Sequence, residues 1–213
     1  IFTAMGIRFV LNCEVGKDVT LAQLQSDYDA LFIGVGTYRS MKAGIPHEDA
    51  PGVYDALPFL VANTRNLMGL EPTQAEPFID TRGLNVVVLG GGDTAMDCVR
   101  TALRHGAAKV TCAYRRDEAN MPGSKKEVKN AKEEGAVFEF NVQPVELALD
   151  KNGQVKGIRM LRTELGEPDA QGRRRPVPVA GSEFEMPADA VIMAFGFNPH
   201  AMPWLEAQGV RTD

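Results

Sequence analysis

The fold of this chain is most constrained by an apolar run that leads directly into a glycine turn. Residues 86–89 are β-branched or leucine, as in a strand that is buried on both faces. Three glycines, residues 90–92, follow at once. Apolar residues then recur at helical spacing through residues 93–105, and Gly106 ends the pattern. A strand, a glycine turn and a helix in this order predict a Rossmann-like α/β unit.

Small residues in the turn leave room for a dinucleotide. Gly90 allows the tight turn, Gly92 lets a pyrophosphate approach the backbone, and Ala95 lets the helix pack on its strand. The free N–H groups and the dipole of the helix favour an anion here. The pattern also fits a strand–helix turn in a nucleotide-free α/β domain. A second strand predicted at Lys109–Tyr114 favours the dinucleotide site.

Two arginines, Arg115 and Arg116, end the second strand where this fold contacts the adenine ribose. An acid at that position binds a 2′-hydroxyl, whereas an arginine accommodates the 2′-phosphate of NADPH. One hydrogen bond to a charged group contributes about 1.5–3 kcal/mol, which is a roughly ten- to hundredfold preference. We therefore predict NADPH binding, and the alternative is two solvated surface arginines. Because adjacent side chains of an extended segment point oppositely, the sequence leaves open which arginine faces the ligand.

Composition excludes several other classes of function. The 213 residues are 44% hydrophobic and carry a net charge of −5, which argues against nonspecific nucleic-acid binding. No apolar run approaches membrane-spanning length, and we expect a cytoplasmic protein. The cysteines and histidines are scattered, so we predict no disulfide framework, no metal site and no catalytic residue. They are Cys13, Cys98, Cys112, His47, His105 and His200. The start at Ile1, without an initiator Met or a signal peptide, indicates a piece of a longer chain.

Other elements follow from apolar periodicity and turn residues. The pattern predicts strands at residues 8–15, 30–35, 137–142 and 188–195, and helices at residues 21–26, 57–70 and 124–134. Ser124 and Glu127 form a capping-box pattern at the start of the last helix. Asn152-Gly153 predicts a hairpin between residues 145–150 and 155–162. Residues 163–175 are predicted to form a long polar turn, and its arginine run, Arg173-Arg174-Arg175, is expected to be solvated.

Two segments, residues 29–37 and 189–196, share one pattern of an aspartate, an apolar strand and a glycine exit. They enclose the glycine-turn unit, as the entry and exit of an inserted domain would. With this arrangement the chain resembles the pyridine-nucleotide-dependent flavoprotein oxidoreductases, and most closely the family of NADPH-dependent glutamate synthase small (beta) subunits. The resemblance covers essentially the whole chain. The strings that carry it are residues 86–98, 114–118, 120–124, 162–164, 166–169 and 194–197.

The resemblance implies an α/β fold in which a Rossmann-like NADPH-binding domain, a parallel sheet plus a β-hairpin, is inserted in an incomplete FAD-binding domain. It implies a partial FAD-binding segment at residues 1–48, the NADPH-binding domain at 49–196, and a return segment at 197–213. The NADPH pyrophosphate would be held by Gly90, Gly91, Gly92, Asp93, Thr94 and Ala95, and the 2′-phosphate by Arg115 and Arg116. The nicotinamide side would be approached by Ala194, Phe195 and Gly196, and the flavin by Gly34, Gly36 and Thr37.

The implied reaction is hydride transfer from NADPH to FAD. Electrons then pass through iron–sulfur clusters to the glutamate synthase large subunit for reductive glutamate synthesis. The chain has neither a first Gly-rich FAD motif nor cysteine clusters. We therefore expect FAD and the clusters only in the intact parent protein, and we expect the piece alone to be inactive.

Two alternatives remain open at this point. One is a related NADPH-dependent flavoprotein, such as a ferredoxin–NADP or sulfide oxidoreductase subunit. The other is a non-catalytic nucleotide-binding module that docks a partner subunit. Exposed strand edges would also allow a homo-oligomer.

Overall fold

The computed structural model describes residues 1–74, 77–168, 170, 172, 174–199 and 202–210. Its contacts divide the chain into two compact units, one of Arg39–Asn198 and one of Ile1–Tyr38 with Pro199–Asp213. The domain limits expected from the sequence, 1–48, 49–196 and 197–213, remain predictions. Asp169, Arg173 and His200, named above from the sequence, lie outside the described residues.

The elements are numbered in chain order. The helices are α1 (Leu21–Asp27), α2 (Ala56–Leu67), α3 (Asp93–Arg104), α4 (Lys125–Glu133) and α5 (Pro203–Glu206), with short 3-10 turns at Thr3–Met5 and Glu118–Asn120. The strands are β1 (Arg39–Ser40), β2 (Val53–Asp55), β3 (Asn85–Leu89), β4 (Lys109–Tyr114), β5 (Val137–Phe140), β6 (Val142–Leu149), β7 (Val155–Pro168), β8 (Arg174–Pro178), β9 (Phe184–Pro187), β10 (Ala190–Met193) and β11 (Phe197–Asn198). None of the described helices is long and apolar enough to cross a membrane.

A parallel sheet of five strands forms the centre of the Arg39–Asn198 unit, in the order β2-β10-β3-β4-β5. Alternate residues of β3 enter two different cores, which is why the strand is apolar from Val86 to Leu89. Val86 and Val88 pack with α2, α3 and α4 on one face. Val87 and Leu89 pack on the other face against the antiparallel sheet of β6, β7 and β9. The predicted α/β class, a parallel sheet with a β-hairpin, is confirmed.

The hairpin and the glycine-turn helix form as predicted. Asn152 and Gly153 lie in the turn between β6 and β7, where Gly153 has a φ of +79°. On α3, the buried face consists of Ala95, Met96, Cys98, Val99 and Ala102. The stripe predicted from helical spacing, Ala95, Val99, Ala102 and Leu103, therefore lies on the core face, although Leu103 is only partly buried.

Two predicted strands are absent. Residues 8–15 and 30–35 are largely exposed, and neither belongs to a sheet among the described residues. Phe32, for example, is 98% exposed. An apolar run becomes a strand only when a neighbouring strand satisfies its backbone, and these two segments find no such neighbour in the described chain. The helix predicted between them does form, as α1, with a capping box in which Thr20 and Gln23 bond reciprocally.

The long polar turn predicted at residues 163–175 was also wrong. Strand β7 continues to Pro168, and β8 pairs with this extension, so that Thr163 lies opposite Pro178. The extension is polar because it runs beyond the core as an exposed two-stranded ribbon. Polar composition alone therefore did not distinguish it from a turn. Arg174 and Arg175 lie on β8 and are exposed, as expected.

Helices α3 and α4 are joined by a network of charged side chains. Glu134, which follows α4, accepts hydrogen bonds from Arg100 Nε and Arg104 Nη2, each at 2.8 Å. Arg100 also bonds to Glu127. The bond from Arg104 and then that from Arg100, together with their charges, outweigh burial and hold the pKa of Glu134 below its ordinary value of 4.5. The network fixes α4 against α3.

Replacing Glu134 with glutamine is expected to lower the free energy of unfolding by about 1 kcal/mol near neutral pH. Because the folded-state pKa of Glu134 is lowered, its contribution is present above the unfolded pKa and is lost as the pH falls through the folded one. Urea denaturation should therefore show a difference at about pH 7 that shrinks below about pH 4.

The matched control is Glu133→Gln, because Glu133 is 63% exposed and pairs with Lys129 only at 3.6 Å. Its effect should stay within about 0.5 kcal/mol at either pH. An equal loss of stability in both variants would contradict the assigned network.

Candidate dinucleotide site

A cleft of about 570 Å³ opens in the Arg39–Asn198 unit at the carboxyl ends of β3, β4 and β10. Ligands of open α/β sheets bind at this edge. The cleft is lined by nine of the residues predicted from the sequence: Gly90, Gly91, Gly92, Thr94, Arg115, Arg116, Ala194, Phe195 and Gly196. The structure thus brings together three segments that are far apart along the chain.

Gly90 marks the closest approach of two strand ends. Its φ is +143°, and a Cβ built there would lie 2.3 Å from the carbonyl oxygen of Ala194. Ala194 also donates its N–H to the carbonyl of Leu89 at 2.8 Å. Only glycine satisfies both the backbone conformation and this contact.

The next two glycines differ in their surroundings. A Cβ on Gly91 would lie 2.6 Å from the Tyr114 ring, so this glycine makes room for the tip of β4. A Cβ on Gly92 would meet no atom within 4 Å, and Gly92 is the N-cap of α3. The backbone of Gly92 is therefore open to a ligand at the end where the helix presents its free N–H groups.

The loop before α4 is hydrogen-bonded to the glycine turn and to the first residue of α3. Gly123 donates its N–H to the carbonyl of Gly91 at 2.9 Å, and Ser124 donates its N–H to Asp93 Oδ1 at 2.7 Å. On the side of β4, the Cys112 thiol donates to the carbonyl of Gly90 at 3.3 Å. The turn is held on two sides and is preorganised for a ligand.

Two residues predicted to hold the pyrophosphate, Asp93 and Ala95, have side chains that are already engaged within the protein. The Asp93 carboxylate is engaged by Ser124, so only its backbone N–H can face an anion. Ala95 is fully buried in the core and supports the turn by packing.

The capping box predicted for α4 is half formed. The Ser124 hydroxyl accepts from Glu127 N–H, whereas the Glu127 side chain bonds to Arg100.

Both arginines at the tip of β4 line the cleft, but they differ in exposure and in hydrogen bonding. Arg115 is exposed, and its guanidinium has no hydrogen bond or ion pair among the described residues. Arg116 is half-buried and donates from Nε to the hydroxyl of Tyr114 at 3.1 Å. Their backbones are fixed because Thr163 and Asn141 donate to the carbonyls of Arg115 and Arg116. Two guanidinium groups on a fixed backbone can donate several hydrogen bonds to the oxygens of one phosphate.

Lys42 adds a third cation to the lining. Burial alone would lower the pKa of Lys42, but the hydrogen bonds and charges of Asp55 and Asp49 outweigh it and raise the pKa. Lys42 therefore stays protonated near neutral pH. No carboxylate is among the described residues that line the cleft. Since Asp49 and Asp55 compensate the charge of Lys42, it is the two arginines of the lining that favour an anionic ligand.

Four residues of the candidate site were not predicted from the sequence: Gly123, Tyr114, Cys112 and Lys42. A glycine directly before the capping serine was visible in the sequence, but its partner across the cleft was not. Lys42 had no local pattern to distinguish it, because the two aspartates that hold it are 7 and 13 residues away.

The sequence matches the family described as pyridine nucleotide-disulphide oxidoreductase over residues 2–213. The chain belongs to this family. The resemblance inferred from the motifs is thereby confirmed, and so is membership in a family of oxidoreductase enzymes.

Curated relatives are similar over the whole chain. This chain is 80% identical to the putative oxidoreductase AegA of Escherichia coli K12, over 100% of this chain and 32% of that protein. It is 65% identical to the glutamate synthase [NADPH] small chain of the same organism, over 100% of this chain and 45% of that protein. The chain thus spans about a third to a half of the length of these relatives.

A solved structure shares the fold. FprA from Mycobacterium tuberculosis, in complex with NADPH, superposes with a TM-score of 0.70 over 90% of this chain and 55% of that chain. Its sequence identity to this chain is 21%, so the likeness shows the fold alone.

The residues expected to approach a flavin belong to the other unit, Ile1–Tyr38 with Pro199–Asp213. Gly34, Gly36 and Thr37 are exposed, and Gly36 has a φ of +69°. A Cβ on Gly34 or Gly36 would meet only the rings of Phe32 and Tyr38, two residues along the chain. The described surroundings of Gly34 and Gly36 do not by themselves support a flavin site, and the flavin role remains a prediction.

Two of the three cysteines of this chain are buried in the core. Cys98 and Cys112 are fully buried, and burial raises the pKa of both thiols, that of Cys112 to about 12. Cys13 is exposed. Among the described residues, no group of three or more His, Cys, Asp or Glu side chains could hold a metal ion.

Proposed function

We propose that this chain is the NADPH-binding part of a flavoprotein oxidoreductase that passes hydride from NADPH to FAD for reductive glutamate synthesis. The observation that carries the proposal is the cleft itself. It combines a glycine-lined edge of a parallel sheet with two arginines at the tip of β4 and, among the described lining residues, no carboxylate. This combination is expected of an NADP site and not of an NAD site.

The chain's contribution is to bind and orient. The pyrophosphate would lie against Gly90, Gly91 and Gly92, facing the N–H groups of α3. Arg115 and Arg116 would hold the 2′-phosphate. When bound, NADPH supplies the hydride.

The nicotinamide would lie at the part of the cleft that is formed by the segment after β10. Ala194, Phe195 and Gly196 line it there, and Gly196 accepts the N–H of Met41 at 3.0 Å. The half-buried Phe195 packs on the core of the antiparallel sheet, which keeps this part of the cleft fixed. A fixed lining positions a ring relative to its hydride acceptor.

The 65% identity to a glutamate synthase small chain over all 213 residues supports the biosynthetic role. In that role FAD and iron–sulfur clusters belong to the longer protein, the large subunit is the partner, and the complex works in the cytoplasm. The test combines the full-length protein with the large subunit, NADPH, 2-oxoglutarate and glutamine. Glutamate should form in step with NADPH oxidation, and omission of either protein should stop it.

The 80% identity to the putative oxidoreductase AegA favours a second candidate, an NADPH-dependent flavoprotein with a different electron acceptor. The same assay separates the two candidates. NADPH oxidation with an artificial acceptor, but no glutamate with the large subunit, would reject the biosynthetic role and support the second candidate. Tight NADPH binding without any oxidation of NADPH would indicate a docking module.

A further inference from the structure

Tyr114 connects the glycine turn to the arginine that lines the cleft. It is the last residue of β4 and is 6% exposed. Its ring fills the space beside Gly91. Its hydroxyl donates to the carbonyl of Asn120 at 2.9 Å and accepts from Arg116 Nε at 3.1 Å. The Arg116 guanidinium also lies 5.8 Å from the centre of the ring.

The carbonyl that orients the hydroxyl is itself fixed. Asp117 Oδ1 accepts from both the backbone N–H and the side-chain amide of Asn120, at 2.9 and 2.7 Å. Glu118, in the same turn, pairs with Lys132 of α4 at 2.6 Å. Because its proton is directed at Asn120, the Tyr114 oxygen presents its lone pairs to Arg116. Arginine can only donate, so this hydrogen bond runs from Arg116 to Tyr114, and the fixed carbonyl of Asn120 takes up the proton of the hydroxyl.

From this geometry we propose that Tyr114 is a positioning residue for nucleotide specificity. Its hydroxyl holds the Arg116 guanidinium ready for the 2′-phosphate, so that Tyr114 acts through Arg116. The inference rests on the proposed NADPH site. A long side chain that is ordered before binding loses less conformational freedom when the ligand arrives, so affinity for the 2′-phosphate rises. Arg115, which has no such anchor among the described residues, gains nothing from the hydroxyl.

The test is Tyr114→Phe, which removes the hydroxyl and keeps the ring beside Gly91. Dissociation constants for NADPH and NADH are measured with the full-length protein by fluorescence titration, and 2′,5′-ADP is compared with 5′-AMP. We expect about three- to tenfold weaker binding of NADPH and 2′,5′-ADP. Binding of NADH and 5′-AMP should stay within about twofold.

Tyr54→Phe is the matched control. Tyr54 lies on β2 and packs on the helical face of the same sheet, away from the cleft lining. It should leave all four affinities unchanged. A general loss of packing in Tyr114→Phe would weaken NADH and NADPH alike, and this result would overturn the positioning role.

A double-mutant cycle supplies the second measurement. If Tyr114 acts through Arg116, then Tyr114→Phe introduced into Arg116→Ala should weaken 2′,5′-ADP no further. Additive losses would overturn the inference while leaving the NADPH site intact. If the unmodified protein did not prefer 2′,5′-ADP to 5′-AMP, the proposed function would fail first and the inference with it.

Discussion

Replacing Gly90 with alanine is expected to lower the free energy of unfolding by about 3 kcal/mol and to weaken both NADPH and NADH strongly. The φ of +143° disfavours any side chain, and the new Cβ would lie 2.3 Å from the backbone oxygen of Ala194. That neighbour is main chain held in the sheet, so the turn must move. Urea denaturation and nucleotide titration measure the two effects.

Gly92→Ala provides the contrast within the same turn. Its Cβ would meet no atom within 4 Å, and its φ of −89° suits alanine. The loss of stability should be at most about 1 kcal/mol, because alanine is a poorer N-cap than glycine. NADPH and NADH should weaken equally, since the methyl group would occupy space next to the shared pyrophosphate. Equal destabilisation by the two substitutions would show that the close approach at Gly90 is not what constrains the turn.

Replacing both Arg115 and Arg116 with alanine is expected to weaken NADPH by about ten- to hundredfold and to leave NADH within about twofold. Only the 2′-phosphate distinguishes the two nucleotides, and the two guanidinium groups are the cations at the β4 tip. The preference for NADPH should also decrease with rising salt, because Arg115 is exposed. Titration of both nucleotides against both proteins measures the change in preference.

The chain contains its own control for this substitution. Arg174 and Arg175 form a second adjacent pair, exposed on β8 and not on the cleft lining. Their replacement by alanine changes the net charge equally and should leave the preference for NADPH unchanged. If this control lowered the preference as much as the β4 pair, the effect would be one of net charge and not of the site.

Local patterns predicted most of the Arg39–Asn198 unit. Strand β4 was predicted with its observed limits, and α3 and the hairpin at Asn152-Gly153 were within a few residues. Each has a short-range cause: an apolar run, a helical stripe with a glycine stop, or a turn that requires a positive φ. The prediction of strands at residues 8–15 and 30–35 was wrong because a strand depends on a partner strand, which local sequence does not reveal. The β7–β8 ribbon was missed because most of its residues are exposed and show no apolar alternation.

The sequence by itself determined the chemistry of the site: glycines after a buried strand, and arginines where an acid would select a different nucleotide. Its information is local, because backbone conformation and charge belong to single residues. Only the tertiary structure decided which groups hold the glycine turn and orient Arg116. Gly123, Ser124 and Cys112 reach their partners through contacts between separate elements, and so does the ring of Tyr114 beside Gly91. Those contacts depend on how the helices and strands pack, and packing is a property of the whole fold.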